Sequence, residues 1–253
     1  MSNPCGAPGD VSPLVKPPVV KPPVSKRAFY AMRHLLLASD YDGTLAQHGQ
    51  LADVTRDALE KLRGSGRKIV LVTGREMVDL ERVCPELELF DRIVAENGAA
   101  IFDPATRVER LLVSPPPDAL VQELQRQLVP LYLGRVVVAT DDKHLGTVRR
   151  TIHELRLDSQ IILNKGAVMV LPPGVDKAFG LRNALAELVV PAEQAVGVGD
   201  AENDEALLAA CGYRVAVQNA LPGLKAQAHW VTAYDHGAGI VELIERLLKN
   251  ELP

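Results

Sequence analysis

His34-Leu35-Leu36-Leu37-Ala38-Ser39 runs without a break into Asp40-Tyr41-Asp42-Gly43-Thr44-Leu45. The first six residues are a short apolar strand. The next six place two carboxylates one residue apart, followed by a glycine that lets the chain turn sharply. In open α/β sheets, ligands bind beyond the carboxyl ends of the strands, so two acids stand where such sheets do chemistry. Side chains alternate along extended chain, which puts Asp40 and Asp42 on one side. Like charges held close raise the proton affinity of one of them. One could stay ionised as a nucleophile or ligand while the other works as general acid and base. For a bare D-x-D, simple capping is the plainer alternative, so the rest of the chain has to decide.

Working outward, Thr55–Leu62 carries Ala58, Leu59 and Leu62 at helical spacing, Lys68–Val72 (KIVLV) is a second buried strand, and Glu76–Val83 is a short helix. Arg92–Ala95 and Ala99–Phe102 are strands around the turn-forming pair Asn97-Gly98. Continuous apolar strands alternating with helices predict an α/β fold with a doubly wound parallel sheet covered on both faces. From about 104 to 173 the pattern changes: strand Arg110–Val113, Pro115-Pro116-Pro117, helix Asp118–Leu128, strand Arg135–Ala139, helix Leu145–Leu157 and strands Gln160–Leu163 and Val168–Leu171, ending at Pro172-Pro173-Gly174. This is an inserted α+β domain bounded by prolines. The alternation then resumes with helix Phe179–Leu188, strand Ala195–Val198, helix Glu202–Cys211, strand Tyr213–Val217, helix Leu221–Gln227, strand Trp230–Thr232 and helix Ala238–Leu248.

Three further strand or helix ends carry polar groups. KIVLV ends in Thr73-Gly74-Arg75, a hydroxyl and backbone donors suited to a phosphate oxygen. Ala195–Val198 ends in Gly199-Asp200-Ala201-Glu202-Asn203-Asp204, two more aspartates and an amide at the same sheet edge. Lys177 opens the helix after the insert. A calcium loop is excluded, because glycine follows the second aspartate at once and Leu51 takes the place of the closing glutamate. A dinucleotide fingerprint is excluded because Glu202 stands at its third glycine, and no P-loop exists. A carboxylate-rich oxygen site with water suits Mg²⁺.

DYDGTL, then TGR, then a lysine after an insert, then GDAENDEAL resembles, in this order, the haloacid dehalogenase superfamily of phosphohydrolases. AENGA (Ala95–Ala99) before the insert and GVDKAFGL (Gly174–Leu181) after it resemble the Cof-like branch, subfamily IIB, with a C2B-type cap. The resemblance implies a HAD-like Rossmannoid core at 34–103 and 174–253 and a cap at 104–173. It implies Asp40 as nucleophile and Asp42 as general acid/base. Mg²⁺ would be held by Asp40, the backbone carbonyl of Asp42 and Asp200, with Asp204 acting through water or orienting the site and Asn203 supporting that loop. Thr73, Gly74 and Lys177 would bind phosphoryl oxygens. An aspartate at position 42 implies hydrolysis or transfer of a phosphate ester. The expected reaction is Mg²⁺-dependent hydrolysis of a small phosphorylated metabolite, a sugar or polyol phosphate, through an aspartyl-phosphate. A phosphomutase using the same aspartates and a non-catalytic binding module are the alternatives. Arg75 and the cap loop Asp141-Asp142-Lys143-His144 are candidates for substrate contact, the aspartates of that loop serving equally well as helix caps. Asn164-Lys165-Gly166 reads as a turn between strands with a minor part in substrate contact, and His34, His48, His153, His229 and His236 as surface or packing residues.

Composition narrows the partners. With 253 residues, 47% hydrophobic, the chain can form a sizeable core. A net charge of −4 gives no electrostatic reason to expect nucleic acid. No apolar run approaches the ~18 residues of a membrane helix, and no signal peptide is seen. Cys5, Cys84 and Cys211 are far apart and odd in number, which fits a reducing, cytoplasmic setting better than a disulfide framework. Residues 1–33 hold seven prolines within the first 27 positions and KPPV twice, predicting a disordered, proline-rich tail that could serve a proline-reading partner. Met32, directly before the first strand, is a possible alternative start.

Overall fold

A computed structural model describes residues 32–253. The expectations for the proline-rich tail and Cys5 lie outside the described residues.

The chain enters as β1 (Leu36–Ser39), buried throughout. Helix α1 (Asp53–Gly64) turns Thr55, Ala58, Leu59 and Leu62 inward and places Lys61 and Arg63 in its last turn, where they complement the helix dipole. Then follow β2 (Lys68–Val72), α2 (Met77–Val83), β3 (Arg92–Ala95), β4 (Ala100–Asp103) and β5 (Val108–Leu111). The insert comprises α3 (Asp118–Arg126), β6 (Tyr132–Leu133), β7 (Val138–Asp141), α4 (Leu145–Glu154), β8 (Gln160–Asn164) and β9 (Ala167–Leu171). The remainder is α5 (Lys177–Leu188), β10 (Ala195–Gly199), α6 (Glu205–Ala209), β11 (Tyr213–Ala216), α7 (Pro222–Gln227), β12 (Trp230–Val231) and α8 (His236–Lys249).

The main sheet has the order β12-β11-β10-β1-β2-β3-β4-β5, with β12 to β3 parallel and β4 and β5 antiparallel at one end. From β1 the chain moves one way to β2 and β3; after the insert it returns on the other side of β1 as β10. The strand order therefore reverses at β1, and the crevice of a doubly wound sheet opens at its carboxyl end, where Asp40 stands. The insert forms its own antiparallel sheet, β6-β7-β9-β8. Val168 and Val170 face α3 and α4, packing with Leu120, Leu124 and Val148. The alternate residues Met169 and Leu171 face the main body, packing with Ala99 and Val175. Strand periodicity thus lets one strand serve two contacts.

One expected boundary shifts. The strand expected at Arg110–Val113, inside an insert beginning at 104, lies at Val108–Leu111 and pairs with β4 in the main sheet. A tight turn explains it: Asp103 Oδ1 accepts from Ala105 N at 2.9 Å, and Arg107 sits at φ +57°, so the hairpin closes locally. The chain leaves the main sheet only at the triple proline, directly before α3. Strand β6, two exposed residues, has no periodicity and no counterpart in the sequence analysis. Cys84 and Cys211 are free and buried, and burial pushes their thiols up to about 11 and about 12. Among the described residues, no helix is long and apolar enough to cross a membrane.

Candidate active site

Four chain segments deliver the site. Asp40 N donates to Val198 O at 3.1 Å, extending the β1–β10 pairing and fixing the nucleophile candidate beside the Asp200 loop. Gly43 follows with φ +88°; a Cβ there would lie 2.1 Å from Asp200 Oδ2, so only glycine lets the two acidic loops close on each other. Past β2, Thr73 is buried and accepts from Arg75 N at 3.1 Å. The third segment, α5, is seated by an unusual turn. Glu96, Asn97 and Gly98 all have positive φ (49°, 52° and 105°). The turn brings Gly98 against Asp176, where a Cβ would meet the backbone oxygen at 1.9 Å. Asp176 caps α5 by accepting from Phe179 N at 2.7 Å, and Lys177 follows at the first helical position. Asn97 ties the segments together: its N–H donates to Thr73 O at 3.0 Å and its Oδ1 accepts from Asn203 Nδ2 at 3.0 Å.

The centre is an acidic cluster around one lysine. Carboxylate oxygens of Asp40, Asp200 and Asp204 lie within 4.8 Å of one another, all three residues buried. Lys177 Nζ donates to Asp40 Oδ1 at 2.6 Å and to Asp204 Oδ1 at 2.5 Å. Asp204 Oδ2 accepts from the N–H groups of Asp200 at 2.9 Å and Ala201 at 3.1 Å. Burial, then repulsion from Asp204, pushes the Asp40 carboxyl above its ordinary range despite Lys177. Burial alone would lower the Lys177 ammonium, but Asp204 and Asp40 more than reverse that and hold it protonated. Burial also raises Asp200, opposed by Lys165, whose Nζ lies 2.5 Å from Asp200 Oδ2. Three buried carboxylates facing two ammonium groups leave the cluster short of positive charge. Hard oxygen donors with a charge deficit fit a divalent cation such as Mg²⁺.

Asp42 lies apart from that cluster. Arg75 grips its carboxylate in a fork, Nε to Oδ2 at 2.6 Å and Nη2 to Oδ1 at 2.8 Å, and also pairs with Asp79. Asp40, Asp42, Gly74 and Asp200 line one pocket of about 320 Å³, with Asn164 and Met169 of the insert forming part of its wall. Lys177 and Thr73 lie buried near the acids. Thus Asp40, Asp42, Thr73, Gly74, Arg75, Lys177, Asp200, Asn203 and Asp204 gather at one edge of the sheet. The loop Asp141-Asp142-Lys143-His144 does not line that pocket: Asp142 and Lys143 border a neighbouring depression with Lys165 and Glu202, and Lys143 pairs with Asp141 at 3.1 Å.

Several residues escaped the sequence analysis. Asn164 and Lys165 are not among them: expected to form a turn with a minor part in substrate contact, they do reach the site from that hairpin. Asn219 Nδ2 donates to Gly43 O at 2.8 Å, its Oδ1 accepts from His236 N, and His236 Nδ1 lies 2.8 Å from Gly43 O. Asn219 just follows β11, so the rule that found the other strand ends would have found it. His236 had no such signal. Glu96 is buried and accepts from the N–H groups of Arg135, Val136 and Val137 at 3.0, 2.8 and 2.8 Å, joining the main body to the insert.

Residues 37–123 and 121–244 match the family model of the haloacid dehalogenase-like hydrolases. A phosphoglycolate phosphatase of Saccharolobus solfataricus is 29% identical over 220 residues, 85% of this chain and 93% of the relative. Among solved structures, Thermoplasma acidophilum 0175 superposes with a TM-score of 0.74 at 17% identity, covering 85% of this chain and 98% of that one. The subclass IIB sugar phosphatase BT4131 superposes with a TM-score of 0.69 at 18% identity, covering 83% and 98%.

Proposed function

The chain belongs to the haloacid dehalogenase-like hydrolase family and is a phosphoric monoester hydrolase; from that premise we propose that it hydrolyses a small phosphorylated metabolite in two steps through Asp40, with Mg²⁺ and the insert as a cap. The observation that carries this is the buried cluster of Asp40, Asp200 and Asp204 built around Lys177 beneath an open pocket.

A phosphate monoester dianion repels an attacking carboxylate, so the site must first cancel charge. Mg²⁺, held by Asp40, Asp200 and the backbone carbonyl of Asp42, with Asp204 through water, would supply positive charge to the phosphoryl oxygens. Lys177, the Thr73 hydroxyl and the backbone N–H at Gly74 bind those same oxygens. Asp40 attacks phosphorus in line; its new P–O bond forms as the ester P–O bond breaks, giving an aspartyl-phosphate. Asp42 donates a proton to the departing alkoxide. It then takes a proton from the water that attacks the phosphoryl group, and Asp40 leaves as a free carboxylate. Arg75 holds both oxygens of Asp42, so one of these contacts must open for Asp42 to carry the proton it donates; Asn203 and Asn97 steady the loops. The cap excludes water and reads the leaving group.

The relatives' names suggest two leaving groups to try first, phosphoglycolate and sugar phosphates. The test is a panel of monoesters with Mg²⁺, wild type beside Asp40→Asn. Wild type should release phosphate without a bisphosphate activator, which sets it apart from a mutase. Asp40→Asn should fall by about 10⁴-fold or more. Chelation should abolish turnover and added Mg²⁺ restore it. Equal rates in wild type and Asp40→Asn would reject the nucleophile; turnover surviving chelation would reject the metal.

A further inference from the structure

We propose that His236 and Asn219 are positioning residues of the reaction centre: together they clamp the carbonyl of Gly43 and so fix the backbone carbonyl of Asp42 for the divalent cation. This rests on the phosphatase reading with its Mg²⁺ and adds to it a pair of residues that act through the backbone.

A ring of polar contacts closes on Gly43. Asn219 Nδ2 donates to Gly43 O at 2.8 Å, Asn219 Oδ1 accepts from His236 N at 2.7 Å, and His236 Nδ1 lies 2.8 Å from Gly43 O. A carbonyl oxygen only accepts, so the His236 ring carries a proton on Nδ1. The members of the ring come from the loop after β1, the loop after β11 and the first turn of α8. His236 stands at φ +48°, a left-handed backbone that costs energy in a residue with a side chain. In that conformation its N–H reaches Asn219 while its ring reaches Gly43. The next residue permits the approach: a Cβ on Gly237 would lie 2.3 Å from Thr55 Oγ1 and 3.0 Å from Leu45 O. Helix α8 therefore starts directly against the loop that follows Asp42.

The clamp fixes more than Gly43. Gly43 N donates to Ala46 O at 2.9 Å, so this residue, at φ +88°, is tied at its N–H as well as at its carbonyl. A trans peptide is planar and sets the carbonyl of Asp42 opposite the N–H of Gly43. The direction of Asp42 O thus follows from how Gly43 is held. Asn219 also meets the second acidic loop: its Nδ2 lies 3.4 Å from Asp200 Oδ2, and Leu221 N, just beyond it, donates to Asp200 O at 2.9 Å. One side chain therefore stands between the segments that would supply oxygens to the cation. A group that orients such an oxygen changes cation affinity without touching the cation. Helix capping would account for Asn219 Oδ1 on His236 N, but not for the convergence of Asn219 Nδ2 and His236 Nδ1 on one distant carbonyl.

The experiment measures Mg²⁺ binding to the full chain by calorimetry, without substrate. His236→Phe keeps a ring and removes the donor; it should weaken Mg²⁺ by about 10-fold, the lower end for a lost partner of a metal-binding group. His236→Asn returns an amide N–H near the place of Nδ1 and should recover most of the affinity. Asn219→Ala removes the other donor and should weaken Mg²⁺ at least as much as His236→Phe. In turnover, the Mg²⁺ concentration giving half the maximal rate should rise by the same factor, while KM for the ester at saturating Mg²⁺ stays unchanged. The two positions test the clamp independently, so a variant that fails to fold at one leaves the other to decide. Wild-type Mg²⁺ affinity in His236→Phe and Asn219→Ala, or His236→Asn as weak as His236→Phe, would overturn the clamp and leave the phosphatase reading standing. A wild type that binds no Mg²⁺ would instead sink the metal reading, and the clamp with it.

Discussion

The main body and the insert handle charge in opposite ways. In the main body, Asp40, Asp200, Asp204, Lys177 and Glu96 are all buried, each held by named partners from distant parts of the chain. In the insert, the pairs Arg126–Glu123 and Lys143–Asp141 are short-range and exposed at the basic partner, and Lys165 is half-exposed. Surface pairs of that kind are worth little. Buried charge is tolerated only where it is paired, and it fixes geometry as it is paired. Fixed geometry therefore belongs to the charged groups of the main body, and freedom of reach to those of the insert.

The strongest way to break this comparison is to disturb the backbone that fixes the main body. Gly98→Ala should do so: φ is +105°, and the added Cβ would lie 1.9 Å from Asp176 O at the start of α5. The turn and the helix must separate, and Lys177 moves with the helix. A loss of at least about 3 kcal/mol is expected from combined backbone strain and overlap. Urea unfolding measures it, and kcat should fall further than KM rises. A variant of native stability and activity would show that the tight turn does not position Lys177.

A smaller effect tests the join between the two regions. Glu96 carries three N–H groups of the insert on one carboxylate. Glu96→Gln keeps the shape but turns an amide donor toward N–H groups, so a loss of about 1–3 kcal/mol is expected for unsatisfied buried donors. Thermal unfolding reads the stability. Full stability would mean that the apolar contacts of Met169 and Leu171 set the insert without Glu96.

What was legible in the sequence follows the same division. Asp40, Asp42, Thr73 and Asp200 are readable because they end apolar strands, and a parallel sheet brings strand ends to one edge. Lys177 was readable from its place after a break. Asn164 and Lys165 were readable only as a turn with a minor part in substrate contact, and Glu96 not at all, since their places depend on where a separately folded sheet comes to rest, and no periodicity encodes that. Strand β5 was placed in the insert because composition shifts near residue 104, whereas pairing with β4 is decided by the local turn at Asp103–Arg107.

The mildest prediction uses His34, just before β1 and at the other end of that strand from Asp40. It is 6% exposed, its Nε2 lies 3.2 Å from Pro253 O, and its Nδ1 has no partner. Burial lowers its pKa from 6.5, only partly opposed by the Pro253 contact. The folded state therefore holds this proton less readily than the unfolded chain. The stability His34 contributes is complete above 6.5 and is lost as pH falls through the unfolded and then the folded pKa. His34→Gln keeps a donor for Pro253 and cannot titrate. Its melting temperature should fall less than that of wild type when pH drops from about 7.5 to about 5.5, the neighbouring carboxylates contributing equally to both proteins. Parallel slopes would mean that His34 is neutral in neither state more than the other. A shallower slope would show burial acting on a titratable group far from the catalytic acids, where no metal and no substrate recover its cost.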